Sequence, residues 1–117
     1  MPDRLPLLFS AIDARDAHAF ADFLSPDVEF VFGNAAPLHG RANVEAAVAG
    51  FFASLAALRH ELSGHWHCGD SLLMHGIVTY TRHDDSQLRV PFANVFKLRD
   101  GLIGEYRIFG DFSALAG

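Results

Sequence analysis

The sequence predicts an α+β fold in which three N-terminal helices pack on a curved, mainly antiparallel sheet. Two features of the chain carry that prediction. Over about the first sixty residues apolar side chains recur with the 3.6-residue period of a helix, whereas from His60 onward they alternate with period two between closely spaced turn signals. Helices first and a meander afterwards is the pattern in which helices cover one face of an antiparallel sheet. Composition agrees: 50% of the 117 residues are hydrophobic and 11 are Phe, enough apolar surface for a single domain over residues 1–117.

Leu5, Leu8, Phe9 and Ile12 stand at i, i+3, i+4 and i+7, one face of a first helix. Phe20, Phe23 and Leu24 form a second stripe that Ser25-Pro26 closes, because Pro disfavours helical backbone in the residue before it. Val28, Phe30 and Phe32 alternate with Glu29 and Val31 in a short strand that ends at Gly33-Asn34. After irregular residues 35–40, the spacing of Val44, Val48, Phe51, Phe52, Leu55 and Leu58 predicts a long core helix over 42–59. Strands over 61–68, 72–82, 88–98 and 103–111 follow, separated by Gly69-Asp70, Asp84-Asp85 and Asp100-Gly101.

Along strand 88–98, Val90, Phe92 and Phe96 lie on one face and Pro91, Ala93 and Val95 on the other, so both faces are largely apolar. Helices on one face alone would leave the second row wet. The sequence therefore predicts a homodimer through the open sheet face, with Pro91 at a bulge or at a position that needs no donor.

A net charge of -5, from nine basic and fourteen acidic residues without a basic run, excludes a nucleic-acid partner. No run approaches the roughly 20 apolar residues that span a bilayer, so no membrane partner is expected. Cys68, the one cysteine, excludes an internal disulfide and suits a reducing compartment. The opening MPDRLPLLF has a short apolar run followed by Asp13 and Asp16, unlike an export signal, and the expected location is cytoplasmic.

The segments FADFLSPDVEFVF, PLHGRANVEAAVAGFF and VPFANVFKLRDGLIGEYRIFGDFSAL resemble, in order and over nearly the whole chain, the SnoaL-like branch of the nuclear transport factor 2-like superfamily. The resemblance implies a cone-shaped half-barrel with an internal pocket between the long helix and the sheet. Ketosteroid isomerases, limonene epoxide hydrolases, polyketide cyclases and non-catalytic binding proteins share that fold, so the fold does not select an activity. Where the isomerases carry a general-base Asp, this chain matches with Phe32; their first-helix Tyr falls at Leu8 and their protonated acid at Asn94. The Asp-Arg-Asp set of the epoxide hydrolases matches Ile77, His75 and Ile108. Neither carboxylate chemistry is implied, nor is a cofactor.

The same resemblance turns His75, Ile77 and Thr79 inward on their strand, Phe92 and Asn94 on the next, and Tyr106 and Ile108 on the last. With Phe32 and Phe52 they would line an apolar pocket with few polar points, the composition of a small-molecule site. In it Asn94 offers amide hydrogens to a ligand oxygen, Tyr106 a hydroxyl, and His75 an imidazole for proton transfer. These three are the catalytic candidates; Phe32, Phe52, Ile77, Thr79, Phe92 and Ile108 are the ligand-binding ones. A three-residue loop at 99–101 would pair Leu98 with Leu102 and set Asn94 opposite Tyr106, in agreement with the resemblance; a two-residue Asp100-Gly101 turn would set Asn94 opposite Arg107.

Four further polar features belong elsewhere. His65 and His67 share a strand face, but a tight Gly69-Asp70 turn would pair Trp66 with Leu73, placing Trp66 inside with His75 and both histidines opposite, with no third metal ligand. Arg107 and Asp111 fall on the face opposite Tyr106, where an ion pair is expected. His39 stands at the pocket mouth, while Gly40 and Arg41 shape the start of the long helix. The expected function is binding of a small, largely apolar metabolite; whether turnover follows is left open by the sequence, and if it does the chemistry is that of a cofactor-free isomerase, cyclase or hydratase. The alternative is a non-catalytic binding or dimerisation module of the same fold.

Overall fold

A computed structural model describes residues 1–115. A 3₁₀ turn leads into helix α1 (Leu5–Asp13), followed by α2 (Ala17–Ala21), β1 (Leu24–Phe32), β2 (Leu38–His39), α3 (Arg41–Ala53), β3 (Ala57–Cys68), β4 (Ser71–Thr81), β5 (Gln87–Arg99) and β6 (Leu102–Phe109). The six strands form one open sheet in the order β2-β1-β6-β5-β4-β3. Every pairing is antiparallel except β1 with β6, which is parallel. The predicted fold class, three helices on a curved and mainly antiparallel sheet, is the one observed.

The predicted α1 stripe is buried in full, from Leu5 to Ile12. α2 is shorter than its apolar spacing suggests: the Asp16 side chain accepts from the Ala19 amide at 3.0 Å to start it, and it ends at Ala21. Leu24, Ser25 and Pro26 belong to β1, so Ser25-Pro26 lies inside a strand rather than closing a helix. Gly40, at φ 91°, turns the chain into α3. Arg41 then donates to the Leu24 carbonyl, where β1 and β6 shift register, and so fastens the helix to the sheet.

α3 stops at Ala53 rather than near Arg59. The Ser54 hydroxyl bonds back to the Phe51 carbonyl at 2.6 Å, after which the chain extends into β3. Leu55 and Leu58 are buried as expected, but from the connection and the strand. Their helix-like spacing hid the fact that Leu58 and His60 alternate inward on β3.

The β5–β6 connection is the two-residue Asp100-Gly101 turn, both residues with positive φ (53° and 80°) and Arg99 paired with Leu102. A bulge follows: Leu98 pairs with Ile103, yet Lys97 pairs with Glu105, so Gly104 is the extra residue. It restores the parity that the short turn would have lost. Asn94 therefore faces Ile108 and Tyr106 faces Phe96, neither being the expected partner, and both side chains still point inward.

β4 departs from expectation. Trp66 does pair with Leu73, but the buried row is Leu72, Met74, Gly76, Val78 and Tyr80. His75, Ile77 and Thr79 therefore lie on the outer face. Both rows of this strand contain large apolar residues, so alternation alone did not decide between them, and the resemblance chose the wrong one. Trp66 is 58% exposed and stacks on His75, with centroids 5.6 Å apart and planes 9° from parallel. Gly76 is forced by close approach: a Cβ there would sit 1.9 Å from the Glu61 carbonyl oxygen, at the β3 bulge between Leu62 and Gly64. Pro91 pairs with Ile77 in unbroken register, beyond the end of the β5–β6 ladder, so it marks no bulge.

Candidate functional site

The helices and the concave sheet face enclose a cavity of about 50 Å³. Its wall is mostly aromatic and aliphatic. Of the sequence-predicted residues, Phe32, Phe52, Phe92, Asn94, Tyr106 and Ile108 line it; His75, Ile77 and Thr79 do not. Leu8 is buried in the core without reaching it. Four polar side chains break the apolar surface: His60, Tyr80, Asn94 and Tyr106. No carboxylate, Lys or Arg is among the lining residues.

Asn94 is 3% exposed on β5, and its Oδ1 has no hydrogen-bond partner among the described residues. A buried amide oxygen left unpaired costs stability, about 1–3 kcal/mol, and such atoms are uncommon in folded proteins. Tyr106 packs its ring against Phe96, Phe30 and Phe20, with centroids 4.3, 5.1 and 5.6 Å away. Desolvation by burial pushes the phenols of Tyr106 and Tyr80 well above the ordinary tyrosine value, and for Tyr106 the neighbouring Tyr80 adds to the effect. Both remain protonated at every physiological pH, each with a hydroxyl proton available to donate.

His60 occupies the position that His75 was expected to fill. Its Nδ1 lies 2.6 Å from Asp13 Oδ1, and its backbone amide donates to Asp13 Oδ2 at 3.0 Å. The ring rests between Phe9 and Phe92, with centroids 5.0 and 5.2 Å away, and its side chain is 11% exposed. The pair joins the last residue of α1 to the inward row of β3. The signal that could have found it was the alternation Leu58, Arg59, His60, which the helical reading of 42–59 concealed.

Aromatic side chains gather at one end of the cavity. Phe112, just past β6, packs against Phe32 with centroids 4.4 Å apart and planes tilted by 33°, and meets Tyr80 edge-on at 6.4 Å, while Phe51 of α3 lies 5.5 Å from Phe32. A Cβ on Gly110 would come within 2.8 Å of the Phe112 ring, so glycine there lets the ring seat. Arg82 Nη2 donates to the Ala114 carbonyl at 2.8 Å and ties this C-terminal strap to β4.

The other singled-out residues lie outside. Arg107 pairs with Glu29 at 2.9 Å and Glu105 at 3.3 Å, not with Asp111. Asp111 instead accepts from the Ser113 amide and hydroxyl, which hold its carboxyl below the usual carboxylate value. His39 is exposed in the edge strand β2 opposite Glu29, and His65 and His67 are exposed on β3.

The model of the SnoaL-like domain matches residues 7–106. The chain belongs to the SnoaL-like family. Among solved structures, it is similar to a nuclear transport factor 2-like protein of unknown function from Burkholderia pseudomallei K96243, with TM-score 0.87 and 16% identity over 97% of this chain and 92% of the other. A protein described as a SnoaL-like polyketide cyclase, from Jannaschia sp. CCS1, gives 0.84 and 19% over 98% and 88%. An epoxide hydrolase of the limonene-epoxide-hydrolase type from M. tuberculosis gives 0.82 and 13% over 95% and 82%. At these identities the likeness shows the fold alone. No curated protein matches the chain.

Proposed function

We propose that this SnoaL-like protein binds a small, largely apolar molecule in the cavity and holds one of its oxygen atoms by hydrogen bonds. The observation that carries this reading is the unpaired Asn94 amide oxygen, buried in the wall of a mostly aromatic cavity that two phenols, kept protonated by burial, also line. An apolar replacement would fill the same space without the desolvation cost, so the amide is best explained by a partner absent from the folded chain alone. A ligand hydroxyl donates to Oδ1; a ligand carbonyl accepts from the amide nitrogen, Tyr80 or Tyr106.

The hollow of about 50 Å³ is far below the several hundred Å³ of a metabolite pocket, so binding requires the Phe112 strap to lift or its ring to turn. Dimerisation through the outer sheet face belongs to the same proposal. Trp66 and Leu73 are exposed there, and Ile77, Ala93 and Val95 are half-buried.

The test is a titration of uniformly ¹⁵N-labelled protein with cyclohexanone, cyclohexanol and cyclohexane. The two oxygenated rings should shift the Asn94 side-chain amide resonance with higher affinity than cyclohexane. Equal response to all three, or none, would overturn the reading.

A further inference from the structure

We infer that Arg82 anchors a carboxylate on the ligand, at the end opposite Asn94, so that the protein takes an elongated apolar acid with a second oxygen at its far end. The inference rests on the binding reading above and names the class of ligand. Phe32, Phe51 and Phe112 belong both to the cavity wall and to an open groove of about 630 Å³ that Arg82 also lines. A ligand that displaces Phe112 therefore passes from the cavity into this groove.

Arg82 follows β4 at the start of the turn into β5. Its amide donates to the Ser86 carbonyl at 2.8 Å and its carbonyl accepts from the Asp85 amide at 2.9 Å, which fixes its backbone. Nη1 donates to Ser86 Oγ at 3.2 Å and Nη2 to the Ala114 carbonyl at 2.8 Å, whereas Nε is buried with no protein partner among the described residues. Nε and Nη2 form one edge of the planar guanidinium, an edge that takes a carboxylate through two parallel hydrogen bonds. Arg41 shows the same edge filled, with Nε and Nη2 both donating to the Leu24 carbonyl. On Arg82 it holds a single neutral carbonyl, and that carbonyl belongs to the strap. The arginine and lysine ion pairs among the described residues are those of Arg59, Lys97, Arg99 and Arg107, so Arg82 stands there without a carboxylate partner. Asp84 lines the same groove, but its Oδ1 is held by the Ser86 amide and hydroxyl at 2.9 and 2.6 Å.

A ligand carboxylate satisfies Nε and Nη2 together and in doing so displaces the Ala114 carbonyl. Binding of the acid thus unfastens the strap that carries Phe112 and admits the apolar body of the same molecule to the cavity. The spacing sets the length of that molecule. Asn94 pairs with Met74, and Arg82 stands eight residues further along β4, about 26 Å at the rise of a strand, which the reach of the two side chains shortens to roughly 15 Å. A small ketone or alcohol meets one end of this span; an elongated acid meets both.

The probes are 12-hydroxydodecanoate, an acid long enough for that span, and its uncharged methyl ester, each titrated into ¹⁵N-labelled protein at pH 7. The acid should bind about 10-fold more tightly than the ester and shift both the Asn94 side-chain amide and the Arg82 Nε–H resonance. Arg82→Gln should bring the acid down to the affinity of the ester. Arg82→Lys, which keeps the charge without the paired edge, should lose most of the preference. Equal affinity of acid and ester for the wild-type chain, with the Asn94 amide shifted by both, would overturn the anchor and leave the binding reading standing. An acid that moves the Arg82 Nε–H but not the Asn94 amide would also overturn it, because the two ends would not then belong to one ligand. Silence of the Asn94 amide toward these probes and cyclohexanol alike would overturn both readings. If Arg82→Gln does not fold, Arg82→Lys decides: a full preference for the acid in that variant would overturn the proposal.

Discussion

Asn94→Leu should make the protein more stable and abolish its recognition of an oxygenated ligand. Asn94 is 3% exposed and its Oδ1 has no protein partner among the described residues, and a buried amide oxygen without a protein partner costs up to about 1–3 kcal/mol. Leucine removes that cost, and the adjoining cavity of about 50 Å³ accommodates the added bulk, which limits overpacking. At roughly 2.1 cal/mol/K of unfolding entropy per residue, a chain of 117 residues shifts by about 4 °C per kcal/mol. The expected rise in Tm is therefore about 4–12 °C. Differential scanning calorimetry measures it, and a cyclohexanone titration followed at the backbone amides of the cavity residues Phe92 and Tyr106 measures the loss of binding. A fall in Tm of more than a few degrees would show that the Asn94 amide holds the fold together, and retained binding would show that it does not face the ligand; either result refutes the reasoning.

Tyr106→Phe should weaken cyclohexanone binding while leaving Tm within about 2 °C, because burial is the main cause of its raised phenol and no hydrogen bond contributes; equal affinity in the variant would remove Tyr106 from the site. Phe112→Ala should open the mouth and let bulkier rings such as naphthol shift the Asn94 amide, whereas an unchanged size limit would show that the strap does not gate the cavity. Acid should loosen the strap only late: with the Asp111 carboxyl held below 3.8 by Ser113, the folded state binds this proton less readily than the unfolded one. The stabilisation is thus complete above that value and is lost as pH falls through the lowered one. Phe112 ring resonances should therefore stay constant from pH 7 to 5, and movement within that range would contradict the assignment. Trp66→Lys should convert a dimer to a monomer in sedimentation analysis; a wild-type chain that is monomeric at high concentration would dispose of the outer-face contact.

Much of the fold was legible because periodicity reports which side of an element is buried. The α1 stripe and the inward row of β5, Val90, Phe92, Asn94 and Phe96, are those expected. Failures came where two patterns coincided. Leu55 and Leu58 continue the helical spacing of α3 although Ser54 has already ended it, and this reading displaced His60 from consideration. On β4 both rows are apolar enough to be core, so Met74 and Tyr80 were exchanged for His75 and Thr79. At Asp100-Gly101 the turn is the shorter of the two alternatives, and only the bulge at Gly104 returns Tyr106 to the inner face. The parallel β1–β6 pairing and the Asp13–His60 contact join residues far apart in the chain, and no local pattern encodes them.

The claim on which the account depends is that the hollow behind Phe112 receives a molecule whose oxygen meets Asn94. A crystal structure of the protein soaked with cyclohexanol tests it most directly. The account predicts the ring in the cavity, its hydroxyl within hydrogen-bond distance of Asn94 Oδ1, with Phe112 displaced. A hollow filled by water or by rearranged side chains under saturating alcohol, with Phe112 still seated against Phe32, would contradict it.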